Sequence, residues 1–170
     1  MDQTLLFDDV QQKYRRHNQI LFSQDSLILS KLIPTMLYQS HQTLIQWALL
    51  RVLPMIETLS KRYPEDNIPR IAFQKSQAYV NKQVKLPVAK QAILAVHHRA
   101  KEISNAHDIA LYHAIGQGLS TIHVKTHALG IPFYELSAIV FAHHNDFMSR
   151  VIAMIDTYQL TLNQAIKLTS

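Results

Sequence analysis

Glycine occurs only three times in 170 residues, alongside six prolines, and this shortage of turn residues is the strongest constraint on what the chain can become. A sheet built from hairpins needs glycine, asparagine or aspartate where the backbone turns tightly. Helices joined by short loops need far fewer such positions. Apolar residues also recur at spacings of three and four through most of the chain, and no segment sustains strict alternation. The expected fold class is all-α. A chain of this length forms one domain, 1–170, holding a compact array of about seven to nine helices rather than a simple four-helix bundle.

Helices are predicted near 4–21, 25–38 and 41–62. In the third, Leu44, Trp47, Ala48, Leu50 and Leu53 lie on or beside one apolar stripe, and Pro54 is expected to kink or split it. "RYPEDNIPR" reads as a loop. Pro69 and Pro87 suit the first turns of helices that reach about Gln83 and Ser104. Asp108 opens a sixth helix running to about Ala128, where Gly130 and Pro132 signal a stop. A seventh is expected from Pro132 to His143, and an eighth, capped by Asn145 or Asp146, to Tyr158. Thr161 then starts a short final helix. Trp47, Tyr38 and Phe73 are expected in core and loop packing rather than as a base-stacking platform.

Composition narrows the function. The chain is 48% hydrophobic, and no window approaches the roughly 18 apolar residues of a membrane helix. The start, "MDQTLLFDDVQQKYRR", places acids where an export signal would place basic residues, so a cytoplasmic location is expected. The absence of cysteine excludes disulfides and thiolate chemistry. The net charge is +5, but "KYRRH" at 13–17 is the only tight basic cluster, and nucleic-acid binding is not expected. Phosphate-loop, dinucleotide and paired-carboxylate motifs are absent, and no cofactor is expected.

The stretch from Gly116 to Gly130, "GQGLSTIHVKTHALG", concentrates small and polar residues. Continued as helix, it places His113, Gly116, Gln117, Ser120, His123, Val124 and His127 within roughly 60° of one direction. Leu111, Ile115, Gly118 and Ile122 occupy the other side, so the helix is expected to be central. His123 and His127, four residues apart, are candidate metal ligands, with His97, His113 and the His143, His144 and Asp146 group as supplements. Yet Val124 stands where a metalloprotease helix would carry glutamate. The alternative is that these histidines are hydrogen-bonded core residues. His97, in "ILAVHHRAK", is the half-buried member of its pair. Ser120 lies one turn from His123 but lacks a glycine-rich elbow to expose its hydroxyl.

Four stretches, "WALLRVLPMIE", "DNIPRIAFQKSQAYV", "VAKQAILAVHHRAK" and "HAIGQGLSTIHVKTHALGIPFY", resemble in order a bacterial family of immunity proteins, the immunity-protein-five-like domain. The likeness covers most of 46–134. Pro69 and Arg70 match its Pro-Arg pair, His97 its helical histidine, and Thr121, His123 and His127 its Thr-x-His-x-x-x-His run. Ile68 stands where the family usually has Arg, Tyr79 replaces a Trp, Lys82 a Gly and Lys90 an Arg. The resemblance implies an all-α binding protein, without catalysis, that neutralises a toxin by protein–protein interaction. Because the chain is basic, the toxin's surface is expected to be acidic, or the interface to rest on apolar and polar packing. The expected functional face comprises Arg70, His97, His113, Gln117, Ser120, Thr121, His123 and His127. Two other readings stand beside it: a metalloprotein or hydrolase using His97, His123 and His127, and a structural subunit of a homodimer or larger oligomer.

Overall fold

The computed structural model describes residues 2–170. Among them are nine α-helices and no strand: α1 (Gln3–Leu6), α2 (Asp8–Arg15), α3 (Leu32–Tyr38), α4 (His41–Arg62), α5 (Ile68–Val80), α6 (Leu86–Ala100), α7 (Ala106–Ser120), α8 (Gly130–Ala142) and α9 (Phe147–Thr169). Short 3-10 segments at Leu27–Leu29 and Lys125–Leu129 complete the order. No helix among the described residues is long and apolar enough to cross a membrane.

Helix α7 is the centre of the array. It packs against α8, α6 and α4 and touches α5. Ten of its fifteen residues are buried, so its apolar residues surround the axis instead of forming a stripe. Asn105 caps it, its Oδ1 accepting from the Asp108 backbone N–H at 3.1 Å. The start therefore falls just before Asp108, the expected opening residue.

Helices α4 and α9 pair on another side of the core. There the Trp47 indole N–H donates to the Tyr158 carbonyl at 3.1 Å, and the two rings meet edge to face at 5.7 Å. Beside them Arg51 donates to Glu135 at 3.1 Å and Tyr158 to the other carboxylate oxygen at 2.8 Å. Burial pushes the Glu135 carboxyl up, against the pull of Arg51 and the Tyr158 hydroxyl.

Several boundaries differ from the sequence reading. The predicted helix over 4–21 is two helices ending at Arg15. His17, at φ 58°, closes α2 through bonds from its own N–H to the Tyr14 carbonyl and from Asn18 N–H to the Lys13 carbonyl, the paired geometry of a left-handed helix stop. The chain then extends, burying Leu21 and Phe22, with Leu21 N–H donating to Ser137 Oγ at 2.9 Å. The predicted helix over 25–38 is a 3-10 turn followed by α3. Tyr38, expected in packing, is 89% exposed.

Helix α4 runs over 41–62 as expected and remains continuous through Pro54. Gly130, read as a stop, begins α8 at φ −62°, and Pro132 occupies its first turn, where a missing N–H costs nothing. Helix α9 does not break between Tyr158 and Thr161. The Thr161 hydroxyl donates back to the Thr157 carbonyl at 2.8 Å instead of capping a new helix.

Helix α5 stops in the same way as α2. Lys82 sits at φ 60°, its N–H bonded to the Tyr79 carbonyl and that of Gln83 to the Ala78 carbonyl. Here the family resemblance carries glycine, and a side chain in this region costs roughly 1–2 kcal/mol. Lys82→Gly should therefore raise the unfolding free energy by about 1 kcal/mol, measurable by urea denaturation.

Candidate functional site

Helix α7 ends at Ser120, eight residues before the predicted Ala128, so His123 and His127 are not on it. His123 lies in the turn after α7 and His127 in the 3-10 segment Lys125–Leu129. The fold nevertheless gathers them: a cavity of about 230 Å³ is lined by His97, Gln117, Ser120, His123 and His127 together with Lys90, Ile93 and Leu94. The His123 and His127 rings are 5.6 Å apart. His113 stands behind His97, their Nδ1 atoms hydrogen-bonded at 3.0 Å.

Glycine and serine make this assembly possible. A Cβ on Gly116 would lie 2.5 Å from Cε1 of His97, so the imidazole rests on bare backbone. A Cβ on Gly130 would lie 2.6 Å from Gln117 Cγ, and Gln117 Oε1 accepts from His127 Nδ1 at 2.7 Å. The two glycines thus seat the side chains that form the cavity wall. Gly118, on the other side, leaves room for Val52 and Ile131.

The remaining expected residues lie elsewhere. Thr121 is buried, and its carbonyl accepts from His41 Nε2 at 2.6 Å. Arg70 is exposed on α5 and does not line the cavity. The loop before α5 is pinned from below: Asp66 accepts from Ile68 N–H at 3.0 Å and from Arg99 at 3.1 Å, and Tyr112 donates to it as well. Lys90, Ile93 and Leu94 complete the wall but were not among the candidate residues. Lys90 had one signal, its place where the family resemblance carries arginine.

The electrostatics are those of a cluster held neutral. Burial, with His113 and His127 nearby, lowers the His97 pKa to about 4. Burial also lowers His113 and His127, and His123 is lowered by burial, Lys90 and neighbouring histidines. No carboxylate lines the cavity, so no imidazole is oriented as a general base. The Ser120 hydroxyl donates to the Gly116 carbonyl at 2.8 Å, which ties up the one candidate nucleophile. Among the described residues no three His, Cys, Asp or Glu side chains form a group that could hold a metal. The cavity offers neutral hydrogen-bonding groups and one ammonium, and His123 Nδ1 is buried without a partner.

Such an arrangement defines an all-helical array that gathers four neutral or weakly basic side chains, His97, Gln117, His123 and His127, and one lysine around a single cavity. The family model "Imm-5 like putative immunity protein" matches residues 35–162. The chain belongs to this family. The match reaches from α3 well into α9, beyond the 46–134 that its motifs cover. No curated protein and no solved structure is similar to the chain.

Two predictions follow from the seating of His97. Gly116→Ala forces the imidazole away and should destabilise the fold by about 1–3 kcal/mol, seen as a lower midpoint in urea. The second concerns pH. A histidine whose folded pKa lies below its ordinary 6.5 binds fewer protons folded than unfolded, so its contribution is present above about 6.5 and lost as pH falls toward 4. The unfolding free energy should therefore drop between pH 7 and 4, and less steeply in His97→Gln, when measured by urea titration at each pH.

Proposed function

We propose that this chain is a cytoplasmic immunity-type protein that neutralises a bacterial toxin by docking on it, without catalysis. Membership of the immunity family over residues 35–162 carries this reading. The placement of charge supports it and suggests where the partner sits. No Asp or Glu occurs between Asp25 and Glu57, between Asp66 and Glu102, or between Asp108 and Glu135. These three runs supply the α3–α4 corner, helix α6 and the turn after α7.

The elements concerned touch. Lys125 Nζ donates to the Leu37 carbonyl at 2.8 Å, His41 holds Thr121, and Lys90 shares the cavity wall with His123. On this basic face Tyr38 is 89% exposed, Leu94 59% and Val124 40%. Exposed apolar and aromatic anchors beside lysines match the make-up of a protein interface, and the partner's matching surface is acidic. Sparse lysines around apolar anchors suit a protein better than a phosphate backbone, whose recognition rests on dense Lys and Arg.

Co-expression with the product of each toxin gene adjacent to this one provides the test. The wild-type chain should rescue growth and co-purify with one toxin. Leu94→Asp combined with Lys90→Glu, on a fold that still melts cooperatively, should reduce rescue at least about tenfold, the effect of losing about 1.4 kcal/mol of binding. Failure of the wild-type chain to bind or neutralise any of them would overturn the function. Full rescue by the double variant would overturn only the choice of face.

A further inference from the structure

A second cavity, of about 380 Å³, lies between the end of α2, the N-terminal half of α7 and helix α8. Tyr14, Ile109, Ala110, His113, Tyr134 and Phe141 form most of its wall. The geometry points to this cavity as a binding site for a small, neutral, planar molecule, an aromatic or heteroaromatic compound with one hydrogen-bonding edge.

Size is the first argument. This solvent-open cleft has a volume within the range of about 300–1,000 Å³ typical of ligand sites. The second is the character of the wall. Three aromatic rings converge there: Tyr14 and Phe141 at 6.3 Å, and Tyr134 beside His113 at 5.2 Å. Flat faces at these separations favour a flat occupant, which can stack or meet them edge-on.

Charge supplies the third argument and fixes the chemical class. No Asp, Glu, Lys or Arg lines the cavity, and its one basic residue besides the half-buried His113 is His17, exposed to solvent at the rim. An ionised ligand would leave water without a counter-charge, at a cost of several kcal/mol, so phosphorylated and carboxylated molecules are disfavoured. Hydrogen bonding supplies the fourth. His113 uses Nδ1 toward His97, and burial keeps the ring neutral. Its Nε2 has no partner among the described residues and remains for a ligand. Neither has the Tyr134 hydroxyl, on the same wall.

The site does not depend on the toxin reading. Tyr14, His17, Asn18 and Gln19, which close one side of it, lie outside the family match at 35–162. The cavity is also separate from the histidine cavity, which His113 does not line.

Indole and benzoate, similar in size but one neutral and the other anionic, test it on the purified full chain by NMR and thermal shift. Indole should bind at about millimolar concentration or tighter, as expected for so few atoms, raising Tm and shifting signals of Ile109, Ala110 and Tyr134. Benzoate should not. Ala110→Leu, which fills the cavity, should abolish the effect. Should that variant fail to fold, Ala106→Trp, at the exposed start of α7 on the cavity mouth, should block entry instead. His113→Phe should weaken indole by about tenfold, the loss of one hydrogen bond. Indole shifts elsewhere on the molecule, equal binding by benzoate, or undiminished binding to a folded filled or blocked variant would each overturn the proposal, as would no indole effect at all.

Discussion

Enclosure of α7 on every side is the constraint from which the rest follows. A helix in contact with α4, α6 and α8 cannot keep a polar face for water, so each side must be apolar, small or internally hydrogen-bonded. Ala110, Ala114, Gly116, Gly118 and Ser120 are the small solutions. Glycine within a helix costs about 1 kcal/mol relative to alanine. At Gly116 and Gly118 the gain is close packing, by the His97 ring on one side and by Val52 and Ile131 on the other.

The same enclosure explains where the buried charges are. Glu135 and Arg51 lie 7% exposed or less along their side chains and are retained as a pair, with Tyr158 completing the carboxylate. Losing one member would leave a bare buried charge, which costs about 3–5 kcal/mol. At the start of α7, Asp108 is treated differently. Burial alone would raise its pKa, but hydrogen bonds from Tyr63, His107 and Arg62 hold it below the usual range. Asp66 and Asp108 each collect donors from neighbouring segments, and together they fasten the end of α4 and the 63–67 loop to the base of the central helix.

What the sequence discloses depends on how local the cause is. The limits of α4 are legible because Ser40 caps it through Thr43 N–H at 3.0 Å and prolines follow it. The end of α7 is harder to see. Thr121, Ile122, Val124 and Thr126 form a β-branched run that weakens helix propensity, yet the apolar spacing continues through it. Gly130 suggests a stop by its conformational freedom, while its actual use is space for Gln117, a contact across 13 residues that no local rule contains. His17 and Lys82 end helices in the left-handed region without the glycine that would announce it. The histidines are visible as a group in the sequence, whereas their shared cavity depends on a turn that returns His123 and His127 beside α7.

The His97–His113 hydrogen bond forms a chemical linkage between the two cavities. In the neutral His97–His113 pair one Nδ1 must donate and the other accept, so the tautomers are set together. When His113 donates, its Nε2 is a bare acceptor and His97 carries its proton on Nε2. When His97 donates, both assignments reverse. A group that hydrogen-bonds to His113 Nε2 in the aromatic cavity therefore selects which form of His97 faces the histidine cavity. Because burial holds both rings neutral, the exchange passes the shared proton from one Nδ1 to the other while one Nε2 gives up a proton to solvent and the other takes one from it, and the pair gains no charge. The linkage requires no movement of a helix, and Gly116 sustains it by letting the His97 ring lie close enough to α7 to reach His113.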